Sequence, residues 1–206
     1  IWKKRIFPDF LKSNFYFTGG TALSSAYLNH RESLDLDFFS ENKFDALVVL
    51  NKVLGWQRKY RFKVSPEAVE DLHIFNIVFP NKSSLRVDFN FYPYPSLGDK
   101  QEFLGVRVDS LVDIATNKLL LINQRSEVKD FVDLYFLLKR FTLWDLLEGV
   151  KEKFKLELDP VNTAADFLKI ESFEFLPKML KPLTLNKLQE FYKGLAKQLA
   201  GTAVLQ

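Results

Sequence analysis

The sequence predicts an α/β core of the α+β kind over residues 1–100, followed by a helical region over 101–206. Three observations carry this. Before residue 92, short stretches alternate apolar and polar side chains, the period of a half-buried strand. At 92–98 the texture breaks in YPYPSLG. Beyond it, apolar residues recur at helical spacing and the breaks fall at Pro160, Pro177 and Pro182. With 206 residues, 47% of them hydrophobic, the chain can bury one large core or two small ones. The boundary near residue 100 does not require two separate cores.

Residues 15–18 are aromatic and run into Gly19-Gly20, a strand and then a turn. Residues 21–28 are small and apolar and predict a helix. Residues 34–39 alternate Leu/Asp/Leu/Asp/Phe and predict a strand. Leu47, Val48, Leu50 and Leu54 predict a helix over 44–54. Residues 57–64 alternate again, with Tyr60, Phe62 and Val64 opposite Lys59, Arg61 and Lys63. That basic stripe, beside Trp56, suits an RNA backbone. A solvated edge strand protected by lysines explains it as well and is the preferred reading. Two more strands follow at 72–79 and 85–91, then helices at 108–123 and 128–140. Residues 141–206 read as helices.

Composition removes several kinds of chemistry. The absence of cysteine excludes disulfides, thiolate metal sites and a cysteine nucleophile. Two histidines, His30 and His73, are too few for a histidine-rich zinc site. A net charge of +3 neither requires nor excludes a polyanionic partner. No apolar run approaches the roughly 20 residues that span a bilayer. No signal peptide is visible, so the expected location is the cytoplasm.

Alternate residues of a strand share a face, so Asp35 and Asp37 point one way and Leu34, Leu36 and Phe38 the other. Two carboxylates one pleat apart repel, and an oxygen-only Mg²⁺ site relieves that repulsion. Asp88 has the same setting in the strand at 85–91. If the two strands are neighbours, three acids converge, as a two-metal site requires when it activates a hydroxyl and steadies a leaving pyrophosphate. A solvated sheet face also accounts for each acid taken singly. Gly19 and Gly20 permit a close backbone approach, and the helix start at Thr21 offers free N–H groups to a phosphate. Strand–helix packing accounts for Gly-Gly equally.

GGTALSSAYLNHRESLDLDFF, residues 19–39, resembles the signature of the AbiEii/AbiGii toxin group of the nucleotidyltransferase superfamily. That pattern is Gly-Gly or Gly-Ser, a spacer, Asp-hydrophobic-Asp, and a third acid on a later strand. It falls here on Gly19, Gly20, Asp35, Asp37 and Asp88, with a spacer slightly longer than usual. His30, Arg31, Ser33 and Asp35 match the group's His-Arg-x-Ser-x-Asp. A second block, IATNKLLLINQRSEVKDFVDLYFLL at 114–138, is similar to the group's lysine helix and its Lys/Arg-Asp-x-x-Asp-Leu, carried by Lys118, Arg125, Lys129, Asp130, Asp133 and Leu134.

The second block also has a reading of its own. Lys118 lies in the apolar stripe of its helix with Leu111, Ala115 and Ile122, so it either snorkels outward or reaches something negative. In a nucleotide site it would act as a point charge on a triphosphate. Asp130 and Asp133 fit a solvated face, with Lys129 and Asp133 as an i, i+4 pair. The resemblance implies instead that one of them, Asp133 before Asp130, orients Lys118 or another group of the site. Arg31 fits a phosphate or a salt bridge to Glu32 or Asp35. His30 fits a loop hydrogen bond or a catalyst. Thr21 and Ser33 fit phosphate contacts or caps.

The resemblance implies a nucleotidyltransferase fold and a Mg²⁺-dependent enzyme that moves a nucleoside monophosphate from an NTP to an acceptor hydroxyl. Asp35, Asp37 and Asp88 would hold two metal ions. Gly19, Gly20, Thr21, Arg31, Ser33 and Lys118 would bind the nucleotide. Asp35, Asp37, Asp88, Lys118 and Asp133 would form the catalytic set. It also implies a toxin acting on tRNA 3′ ends, with an antitoxin encoded nearby. A protein or small-molecule acceptor, or a silent nucleotide- or partner-binding module, are the alternatives.

Overall fold

The computed structural model describes residues 9–203. The chain divides into two compact units. The first comprises the described residues through Ala22, with Ser33–Pro95 and Lys100–Asp109. The second comprises Leu23–Glu32, Ser96–Asp99 and the chain from Ser110 onward.

The first unit contains helix α1 (Asp9–Asn14), strand β1 (Tyr16–Thr18), the single turn α2 (Gly19–Ala22), β2 (Leu36–Ser40), α3 (Ala46–Tyr60), β3 (Lys63–Val69), β4 (Leu72–Val78), β5 (Ser84–Phe91), β6 (Gln101–Phe103) and β7 (Val106–Val108). The strands form a mixed seven-stranded sheet in the order β3-β4-β5-β2-β1-β7-β6. β2 lies at its centre, parallel to β5 and antiparallel to β1. Leu36 and Phe38 of β2 are buried, while Asp37 between them is only half-buried. Phe89 is fully buried, with its ring 5.5 Å from Phe38 and 5.1 Å from Phe15. This aromatic layer fixes which face of β2 and β5 turns inward, and so sends the intervening acids the other way.

The second unit contains a π-helical turn (Leu23–Leu28), α4 (Leu111–Gln124), α5 (Val128–Leu137), α6 (Leu143–Phe154), α7 (Pro160–Leu168), a 3₁₀ turn (Lys169–Ser172) and α8 (Leu185–Ala203). Leu119, Ile122, Phe131, Leu134, Phe167, Leu188 and Tyr192 form its core. The Tyr192 hydroxyl donates to the Phe131 carbonyl at 2.7 Å. None of the described helices is long and apolar enough to cross a membrane.

Several expectations are corrected. The strand expected over 57–64 is half helix, because α3 continues to Tyr60 and Arg61 closes it in the left-handed region (φ 56°), its N–H on the Gln57 carbonyl. Val49 and Val53 anchor α3 on the core, and the helix runs on from them through half-buried and exposed residues 54–60 against the local alternation. The basic stripe is therefore no strand face. Lys59 lies in the last turn of the helix, Arg61 caps it, and only Lys63 belongs to β3. The helix expected over 21–28 is α2 followed by the π-helical turn. The helix expected from 108 starts at Leu111, with Ser110 capping it and Val108 closing β7. Pro160 opens α7 behind the Asp159 cap rather than breaking a helix.

Candidate active site

The sheet brings two of the expected acids together. In the parallel pairing of β2 with β5, Asp37 is registered with Asp88. On its other side Asp37 is registered with Thr18 of β1, the last residue before the Gly-Gly turn. Asp35 is placed differently from its expected position in the strand. β2 begins at Leu36, whose partner is Val87, so Asp35 lies in the exposed segment just before it. Asp35 and Asp37 remain close enough to act on one group, the Arg86 guanidinium. Its basicity is raised first by its hydrogen bonds to Asp88, then by the charges of Asp88, Asp35 and Asp37.

Gly19 is held at φ +74°, a conformation that L side chains rarely adopt. A Cβ added there would overlap the Asp37 carboxylate. The glycine is thus required twice, by its backbone and by the acid it faces. Gly20 follows it in α2, half-buried. Thr21 is buried and donates its hydroxyl to Ser33 Oγ at 2.8 Å, which ties the turn to the segment leading into β2. Thr18 donates to the buried Asp109 carboxylate at 2.9 Å. We expect Gly19→Ala to lose nucleotide-dependent activity and about 1–3 kcal/mol of stability. Urea denaturation beside a transfer assay checks this, and a fully active, equally stable variant would remove Gly19 from the site.

Among the described residues, no three His, Asp or Glu side chains stand together as a ready-made metal cluster. The donor set nevertheless suits a hard divalent cation. The candidate groups are all carboxylate oxygens, two are registered side by side, and one of these, Asp88, already holds a cation in the form of Arg86.

The second unit gathers the other expected residues around one carboxylate. Asp133 is fully buried. Its Oδ1 meets His30 Nε2 at 2.7 Å and Arg31 Nε at 2.6 Å. Its Oδ2 meets Arg31 Nη2 at 2.8 Å and Lys118 Nζ at 2.7 Å. Lys118 also donates to Asp130 Oδ1 at 2.7 Å, and Arg125 Nε to Asp130 Oδ2 at 2.7 Å. Lys118 therefore reaches carboxylates rather than snorkelling. Both aspartates are buried, not on a solvated face, and Lys129 pairs with Glu127 instead of Asp133. Arg31 pairs with Asp133, and its Nη1 also donates to the Glu32 carbonyl. The Leu180 N–H donates to the His30 carbonyl and the Glu32 N–H to the Lys178 carbonyl, which fixes the backbone around Arg31.

The electrostatics follow from the burial. Burial alone would push the Asp133 carboxyl up, but Lys118, His30 and Arg31 hold it far below the carboxylate range. Asp130 behaves alike, with Lys118 and Arg125 outweighing its burial. Burial would lower Lys118, and Asp133 and Asp130 raise it above its ordinary value. Asp133, Asp130 and Lys118 keep their charges at neutral pH because each lies beside its opposite, which outweighs the desolvation.

A second buried pair has no counterpart in the sequence reading. Asp113 accepts from Lys153 Nζ at 2.6 Å, from the Leu97 and Gly98 backbone at 3.0 and 3.1 Å, and from Ser110 Oγ. Burial pushes Asp113 up, and Lys153 with Ser110 brings it below its ordinary value. The signal available was Ser110-x-x-Asp113, an N-terminal capping pattern. Lys153, 40 residues away, left none.

Comparison with known proteins agrees with this architecture. The AbiEii family, described as "Nucleotidyl transferase AbiEii toxin, Type IV TA system", matches residues 3–199. An Aquifex aeolicus (strain VF5) protein is 35% identical over 150 residues, 69% of this chain and 68% of its own length. Among solved structures, JHP933 from Helicobacter pylori superposes with a TM-score of 0.56 at 18% identity, over 98% of this chain and 92% of that one. MenT4, a nucleotidyltransferase toxin from Mycobacterium tuberculosis H37Rv, gives 0.53 at 16% identity over 92% and 80%. At these identities the structural likeness shows the fold.

Proposed function

The chain belongs to the AbiEii family of nucleotidyltransferase toxins of type IV toxin–antitoxin systems, and we propose that Asp35, Asp37 and Asp88 are the centre of its chemistry. The observation that carries this is the register of Asp37 with Asp88 across β2 and β5, beside a glycine whose missing side chain makes room for Asp37. An acceptor hydroxyl attacks the α-phosphorus of an NTP. A new O–P bond forms, the bond to the β-phosphate oxygen breaks, and pyrophosphate leaves. Asp88, less exposed than Asp35, takes the hydroxyl proton. Asp35 and Asp37 with Asp88 would hold Mg²⁺, which when bound supplies Lewis-acid stabilisation of the phosphoryl charge. Gly19, Gly20, Thr21 and Ser33 shape the backbone that receives the phosphates.

In the second unit the roles are positional first. Asp133 orients Lys118, and Arg31 and His30 hold Asp133. Lys118 uses two of its three N–H donors on Asp130 and Asp133, and the third is the one it would offer a triphosphate. Most of the rate then comes from positioning and charge, as in other phosphoryl transfers.

The acceptor we propose is the 3′ end of tRNA. The partner that restrains the toxin is an antitoxin encoded beside it, and both act in the cytoplasm. The test is mass spectrometry of RNA and protein fractions after incubation of the purified protein with Mg²⁺ and each NTP. A tRNA species heavier by one or more nucleotides is the expected result. Added mass confined to a protein or a small molecule would overturn the acceptor. Mg-NTP binding without added mass on any acceptor would support the silent module.

A further inference from the structure

Arg86 is held by Asp88, one of the three acids, and has no part in the reaction described above. It lies two residues before Asp88 on β5 and so shares its face. Its guanidinium forks onto that carboxylate, with Nε 2.8 Å from Oδ1 and 3.0 Å from Oδ2, and Nη2 2.8 Å from Oδ2. The charges of Asp35 and Asp37 act on the same group. The Arg86 side chain is 44% exposed and that of Asp88 11%. The cation can therefore swing into water with little packing lost, while the carboxylate stays.

The lone pairs that Arg86 occupies are the ones a metal ion needs. A carboxylate beside two others also has to be neutralised by something. We propose that Arg86 is a displaceable counter-cation of the carboxylate site. It competes with a divalent ion for Asp88 and leaves when the phosphates of an arriving nucleotide offer it a second forked partner. Metal occupancy is thereby coupled to nucleotide occupancy, and the protein without nucleotide holds its divalent ion weakly. This rests on the reading that Asp35, Asp37 and Asp88 bind the metal.

The test is Mn²⁺ binding, followed by electron paramagnetic resonance, without nucleotide and with a non-hydrolysable ATP analogue. Wild type, Arg86→Met, Arg86→Lys and Asp37→Asn are compared. Without nucleotide, Arg86→Met is expected to bind Mn²⁺ about tenfold more tightly than wild type. Arg86→Lys, which keeps the charge and loses the fork, falls between the two and carries the comparison if Arg86→Met does not fold. The analogue tightens Mn²⁺ binding in wild type and much less in Arg86→Met. Equal or weaker Mn²⁺ binding by the Arg86 variants, with Asp37-dependent binding intact in wild type, overturns this inference alone. Mn²⁺ binding that is absent from wild type even with the analogue, or unchanged by Asp37→Asn, overturns it together with the metal reading beneath it.

Discussion

Asp37→Asn is expected to lower nucleotidyl transfer by about 10³-fold or more while leaving the melting temperature within about 2 °C of wild type. The substitution keeps the size and shape of the side chain. It acts at a half-buried position on the face of β2 turned away from the Phe38–Phe89 layer, so little packing is disturbed. It removes one of three negative charges that surround Arg86, and the remaining two repel less. What is lost is the paired carboxylate set that a divalent ion requires. Transfer measured with saturating Mg²⁺ and NTP, beside a thermal melt, separates the two effects. A variant with wild-type activity would place the chemistry elsewhere. A variant that unfolds would make Asp37 structural.

Asp133→Ala should have the largest effect on stability, a loss of about 3–5 kcal/mol. The deletion leaves the buried Arg31 guanidinium without its forked partner and takes a carboxylate from Lys118 and a bond from His30. His30 is already short of partners, because its Nδ1 has no hydrogen bond among the described residues. Asp133 is held far below its ordinary range in the folded protein. Its stabilisation is thus complete above the unfolded value of about 4 and is lost as pH falls below it. Lys118 is raised, so its contribution is complete below the unfolded value of about 10.4 and lost as pH climbs through the raised one. Urea unfolding at pH 7 should show the full difference between wild type and Asp133→Ala, and at pH 3 a smaller one. A constant difference across that range would mean that packing, not charge, fixes Asp133.

The parts of this structure visible in the sequence are those set by local periodicity. Leu36-Asp37-Phe38 and Val87-Asp88-Phe89 alternate because one face of each strand packs into the aromatic core, and that alternation showed both acids before any pairing was known. Lys118 was conspicuous because a charge in an apolar stripe needs a partner. What stayed hidden was non-local. The partner of Arg31 is 102 residues away, and nothing near Arg31 distinguishes Asp133 from Glu32 or Asp35. The end of α3 at Arg61 depends on a left-handed cap carried by an arginine, a residue with no preference for it. β6 and β7 are three residues each, too short for a period to show. Arg86 carried no signal of its own, since a basic residue on a strand's polar face is ordinary until its neighbours are placed.

The measurement that bears most directly on the carboxylate site is transfer of labelled nucleotide. Purified protein, Mg²⁺ and each of the four NTPs are incubated with total RNA, beside the Asp35→Asn/Asp37→Asn double variant. The expected result is label in small RNAs from one NTP, dependent on Mg²⁺ and absent with the variant. Label transferred equally well by the double variant would contradict the assignment of Asp35 and Asp37 as the centre of the reaction.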